Sequence, residues 1–219
     1  LYQGWVIVGA AFVVLFLAYG TQYAFGVFFA ALLAEFSWSR ASLSGAFSLY
    51  AFVYSVFGLV TGRLTDRWGP RAVIAVGGLL LGAGLAGMSL VNALWQPYIL
   101  YGAVAALGMS TAYVPCNATV VRWFVRRRGL AVGIASAGGS LGTFVLPPVA
   151  HWLVSGLGWR RAYLVFGAAI FVTLAGVALV MRRDPESLGL HPDGAPAPAP
   201  AGALGGWTVR EAVRARAFW

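Results

Sequence analysis

Six apolar runs, each close to the roughly 20 residues a helix needs to cross a hydrocarbon layer about 30 Å thick, follow one another along the chain. They cover approximately 5–33, 41–62, 72–94, 98–121, 130–153 and 159–181, and are numbered here as helices 1 to 6. Strands of a membrane barrel would alternate apolar and polar residues in units of about ten, and these runs do not. A helix satisfies its own backbone hydrogen bonds inside lipid, so the expected fold is all-α. Only 10% of the 219 residues are charged and 60% are hydrophobic, too little charge to cover a water-soluble globule. The net charge of +9 would suit a nucleic-acid partner. However, every basic residue is arginine, and the arginines cluster between the apolar runs, which argues for a lipid bilayer and against nucleic acid. The lone cysteine, Cys116, allows neither an intrachain disulfide nor a thiolate metal site. The sequence points to no metal and no cofactor.

The arginines also orient the expected bundle. Connections after helices 2, 4 and 6 contain Arg63, Arg67 and Arg71, then Arg122 and Arg126 to Arg128, then Arg182 and Arg183. The opposite connections hold only Arg40, Arg160 and Arg161. Positive charge is retained on the cytoplasmic side, so both the start of the chain and the region after helix 6 are expected in the cytoplasm of a bacterial inner-membrane protein. The first run is too long for a signal peptide and no Met precedes it, so the chain reads as a fragment open at both ends. Residues 1–181 form the expected six-helix domain. Residues 182–206, rich in Pro, Ala and Gly, read as an extended cytoplasmic linker, and 207–219 as an interfacial helix. Trp5 and Trp159 suit the aromatic belt at the membrane surfaces. "RWGPRAVIAVGG" entering helix 3 and "LGWRRAYLVFG" entering helix 6 resemble each other, as the two halves of an inverted three-plus-three repeat would.

Between helices 2 and 3 lies "TGRLTDRWGPR", expected as a tight turn in which Gly62 and Gly69 permit close backbone approach and Pro70 starts helix 3. Its pattern, Gly62-x-x-x-Asp66-Arg67-x-Gly69-x-Arg71, resembles the signature loop of the major facilitator superfamily. That resemblance implies the N-terminal six-helix half of a twelve-helix carrier. It also implies a latch in which Asp66, with Arg122 at the foot of helix 4, helps hold two halves together on the inner side and favours the outward-facing state.

"WFVRRRGLAVGIASAGGSLG", residues 123–142, and "PESLGLHPDG" after helix 6 are similar to the monocarboxylate and oxalate/formate branch of that superfamily. The branch implies transport of a small organic anion, with a second six-helix half as partner. Helix 5 carries two smooth strips, Gly129-Gly133-Ala137 and Gly138-Gly142, where another helix can approach. The resemblance makes one of them a sliding contact with the second half, so Gly133, Gly138 and Gly142 are the expected interdomain packing positions.

Substrate residues follow from depth and spacing. No Asp, Glu, Lys or Arg occupies the middle of any of the six runs, so this half supplies neither proton relay nor counter-ion, and exchange or facilitated movement is favoured over proton symport. Tyr19, Gln22, Tyr23 and Gly26 share one face of helix 1. Tyr113 and Asn117 lie one turn apart on helix 4, with Pro115 placed to bend it. Their hydroxyls and amides suit a carboxylate. Tyr50 and Tyr54 form a secondary pair. The "GGSLG" stretch satisfies a hydrolase pattern, but His151 would stand about 16 Å from Ser140 along a straight helix. Ser140 therefore reads as packing, and an enzyme is not expected. A drug/proton antiporter is the alternative within the superfamily, although the G-P step expected in its helix 5 reads Gly138-Gly139 here. A non-transporting membrane sensor or scaffold is the alternative from another class.

Overall fold

The computed structural model describes residues 2–194. The Ala-Pro alternation and the expected interfacial helix at 207–219 lie outside the described residues. Every regular element among those described is helical. Helix 1 is Gln3–Glu35, helix 4 Trp95–Trp123, helix 5 Arg128–Leu157 and helix 6 Trp159–Val180. Helices 2 and 3 run together as Arg40–Met88 and turn at Gly69, so five long apolar stretches make six crossings. Helix 2 extends through Trp68 rather than ending near residue 62 as expected, and Asp66 and its neighbouring arginines stand on a helix instead of in a loop. Gly62 is thus mid-helix, and a methyl group there would meet only Val114, at an ordinary 3.5 Å. Its expected role in close backbone approach does not hold.

Gly69 has φ 80° and ψ 161°, a combination open essentially only to glycine. Gly158, between helices 5 and 6, has φ 80° and ψ 155°. Each reversal is thus made at a single glycine, three helices apart in sequence.

Neighbouring residues fix the direction of each helix. Tyr98, Gly102, Ser110 and Arg122 of helix 4 lie against Gly45, Leu49, Thr61 and Asp66 of helix 2, so these two are parallel. Helix 3 is antiparallel to helix 4, with Gly77 beside Thr111 and Gly84 beside Leu100. Gly138 and Gly142 of helix 5 meet Phe12 and Phe16 of helix 1, another parallel pair. Helix 6 runs against helix 1, with Tyr163 on Phe28 and Arg160 on Glu35. Helices 3 and 6 also pack antiparallel, with Gly78 beside Leu174 and Gly82 beside Gly167, and advancing every helix number by three turns the 1–5 pair into the 4–2 pair and leaves this 3–6 pair unchanged, as an inverted repeat requires. Large apolar side chains such as Phe52, Leu59, Phe144 and Trp152 stand exposed on this bundle, which lipid tolerates and water does not.

The two ends differ in chemistry. At the arginine-poor end, Arg160 pairs with Glu35 and donates to Val91 O at 3.2 Å. Trp159 donates its indole N–H to the same carboxylate and lies beneath the guanidinium, 4.2 Å from ring centre to carbon. Trp159 is therefore buried in a clasp between three connections and does not serve the expected aromatic belt.

At the arginine-rich end, residues 182–194 fold back on the bundle where an extended linker was expected. Trp123 Nε1 donates to Arg182 O at 3.2 Å, and Tyr2 Oη donates to His191 O at 3.1 Å. Asp193 Oδ2 accepts from the backbone N–H of Val125 and Arg126, at 2.9 and 2.7 Å, just ahead of helix 5. Partial burial opposes the charge on Asp193, but the N–H groups of Arg126, Val125 and Arg127 outweigh it and hold the carboxyl below its usual range. A carboxyl depressed on folding adds stability above its unfolded value, about 3.9, and loses it as pH falls through the lower folded value. Asn tolerates the positive φ of 58° at this position, so Asp193→Asn tests charge alone. It should lower the melting temperature of the detergent-solubilised protein by about 2–4 °C at pH 7, for a loss of about 1 kcal/mol. The variant should also lose the matching part of the fall in melting temperature below pH 4.

Candidate functional site

Pro115 has no N–H to give and its ring clashes with the carbonyl four residues back, at Thr111. Helix 4 is interrupted there: Thr111 and Ala112 make tighter bonds to Gly108 and Met109, and regular helix resumes at Tyr113. The break presents Tyr113 toward Tyr19, which stands halfway along helix 1. Their rings meet edge to face with centres 6.4 Å apart. Tyr19 Oη also lies 3.4 Å from Tyr54 Oη of helix 2.

Around these rings lies an open cleft of about 460 Å³, lined by Leu15, Tyr19 and Tyr23 of helix 1, Tyr113 of helix 4, and Ser136, Gly139, Ser140 and Thr143 of helix 5. It contains several hydroxyls and no charged side chain. Tyr23 and Tyr113 are 60% and 46% exposed, so both phenols are open to a ligand. Tyr23 also borders a second cleft on its far side, which includes Gln22, Gly26, Ser44 and Ser48. The carbonyl oxygen of Gln22 is buried without a hydrogen bond among the described residues.

The five expected substrate residues therefore divide. Tyr19, Tyr23 and Tyr113 share the central cleft, and Gln22 serves the neighbouring one. Asn117 lines neither: its amide nitrogen turns back along helix 4 to Tyr113 O at 3.0 Å. A helical amide one turn from a proline break finds a nearer partner in its own backbone. Tyr50 is fully buried, stacked on Tyr101 with centres 4.5 Å apart, which makes it core.

The helix 5 wall was missed by sequence reasoning. Ser136, Ser140 and Thr143 follow i, i+4, i+7 spacing, and that periodicity was the available signal. Ser140 is exposed on the cleft, not a packing residue as expected. The glycine strips also divide. A methyl group at Gly138 or Gly142 would overlap the backbone carbonyl oxygen of Phe12 or Phe16, so these two glycines serve the contact between helices 5 and 1 inside the bundle, not an interdomain contact. Gly133 faces open space.

Of the expected latch, the structure brings together Asp66 and Arg122, joined at 2.7 Å with side chains 64% and 35% exposed. Gly69 supplies the reversal beside them, and Arg67 and Arg71 project from the same end without joining this pair.

The family model of the major facilitator superfamily matches residues 11–219. The chain is 33% identical over 206 residues to human monocarboxylate transporter 11, a match covering 92% of this chain and 42% of that one. It is 32% identical over 186 residues to monocarboxylate transporter 13 of Bos taurus, covering 83% and 44%. Over 182 residues it is 34% identical to monocarboxylate transporter 3 of Rattus norvegicus, covering 83% and 37%. The chain thus spans less than half the length of these curated relatives. Among solved structures, a bacterial homologue of the human lysosomal transporter Spinster, in an inward-facing and unoccupied conformation, superposes with a TM-score of 0.75 at 19% identity. That match covers 97% of this chain and 48% of the other and shares the fold.

Proposed function

The chain belongs to the major facilitator superfamily, and from that premise we propose that it is the N-terminal half of a carrier moving a small organic anion by alternating access. One observation carries this reading: a cleft halfway across the bundle that offers phenol and alcohol hydroxyls and no charge. A neutral hydroxyl donor binds a carboxylate through hydrogen bonds of about 1.5–3 kcal/mol each, without a buried ion of its own. The resemblance to monocarboxylate transporters supports the same substrate class. A second six-helix half closes the open side of the cleft and provides whatever cation the anion meets. The arginine-rich end faces the cytoplasm of an inner membrane, following the positive-inside rule. With no carboxylate at central depth, anion exchange of the oxalate/formate kind is favoured over proton symport.

The test is counterflow by the full-length protein in liposomes. Internal formate, acetate, lactate or oxalate should accelerate uptake of the same labelled anion from outside. Movement of a cationic drug driven by a pH gradient, with none of these anions carried, would replace this reading with the drug antiporter. In the same assay Tyr23→Phe should raise the apparent KM about tenfold with an unchanged maximal rate, as loss of one hydrogen bond to a charged ligand predicts. An unaltered KM would remove Tyr23 from the site.

A further inference from the structure

A hydroxyl inside a helix usually returns its proton to a carbonyl three or four residues back. Thr143 does so, donating to Ser140 O at 2.7 Å, as do Ser48, Ser55, Thr65 and Thr119 elsewhere in the bundle. On the cleft wall of helix 5, Ser136 and Ser140 do not: neither hydroxyl makes a hydrogen bond among the described residues. Both protons are therefore available to a ligand. The two serines are four residues apart and line the same cleft, which places them about 5–6 Å from one another. Donors at that separation, each reaching about 2.7 Å to an oxygen, bracket a single carboxylate group. Gly139 lies between them, and a methyl there would sit 3.2 Å from the ring of Tyr19. The glycine thus lets the phenol wall and the serine wall stand close enough to share one small ligand.

We propose that Ser136 and Ser140 are the pair of donors by which helix 5 orients the transported anion, opposite the phenols of helices 1 and 4. This inference rests on the anion-carrier reading. The pair determines orientation and selectivity and carries no charge of its own. An oxyanion accepts both protons, whereas an apolar ligand of the same size leaves both serines unsatisfied.

The experiment uses the full-length carrier in liposomes with formate, acetate, lactate and oxalate as probes, comparing Ser136→Ala, Ser140→Ala, the double variant and Ser140→Thr. Each alanine should raise the KM of the carried anion about tenfold and leave the maximal rate near that of the wild type. The double variant should lose more, and Ser140→Thr, which keeps a hydroxyl, should recover most of the affinity. A double variant with wild-type KM, or one that loses only maximal rate, overturns the assignment of the serines while anion transport by the wild type stands. A wild type that carries none of the four anions overturns the anion-carrier reading itself, and the serine assignment with it.

Discussion

Gly142→Val is expected to destabilise the bundle severely, whereas Gly133→Val on the same helix should leave it nearly as stable as the wild type. The difference lies in what each added side chain would meet. At Gly142 it would overlap the carbonyl oxygen of Phe16, a backbone atom fixed by the hydrogen bonding of helix 1. Overpacking in a core costs about 1–3 kcal/mol even where side chains can shift. Backbone cannot rotate away, so the cost belongs at or above the top of that range, against a total stability of about 5–15 kcal/mol. At Gly133 nothing lies within 4 Å. Thermal unfolding in detergent checks both: Gly142→Val should yield little folded protein or melt more than 6 °C lower, since about 3 kcal/mol corresponds to about 6–12 °C in a chain of this size. Gly133→Val should melt within about 2 °C of the wild type, for a surface change of about 0.5 kcal/mol. Equal melting temperatures for the two variants would contradict the helix 1–5 contact as described.

On the carrier reading, Asp66→Asn is expected to slow transport up to about fivefold, as a loss of about 1 kcal/mol allows, without disturbing the fold. The Asp66–Arg122 pair is largely exposed, and such pairs contribute only about 0–1 kcal/mol to stability. Insertion and melting should therefore be nearly unchanged. Transport is more sensitive, because a carrier reorients over a barrier and each 1.4 kcal/mol by which one end state or the barrier shifts alters the rate tenfold. Reconstituted uptake measures this directly. The charge-swapped double variant, Asp66→Arg with Arg122→Asp, should recover part of the rate if attraction between the two positions is what matters. Wild-type kinetics in Asp66→Asn would remove the latch from the mechanism.

Much of this architecture was legible because membrane crossing is encoded along one dimension. Apolar length gave six spans, arginine spacing grouped the even-numbered connections, and the Asp66 pattern pointed to Arg122 across 56 residues. Where reading failed, the missing information lay across the chain. Helix 2 outran its apolar run because arginine and aspartate stay hydrated at a membrane surface while their backbone remains helical. Gly138 and Gly142 looked equivalent to Gly133 until helix 1 was seen covering them. The amide of Asn117 turned to its own helix, a choice that spacing along the chain does not encode. Residues 182–194 looked like a linker by composition, since the bonds that anchor them go to Trp123, Tyr2 and the turn before helix 5.

The paired reversals at Gly69 and Gly158 have a mechanical consequence. A hairpin closed by one residue has no slack, so neither of its limbs can slide or tilt far without dragging the other. With one such closure at each face of the membrane, helix 2 moves with helix 3 and helix 5 with helix 6, so any rocking is taken up by these pairs as units. On the carrier reading, compliance then belongs to the side of helix 5 that carries Gly133, where nothing lies within 4 Å among the described residues.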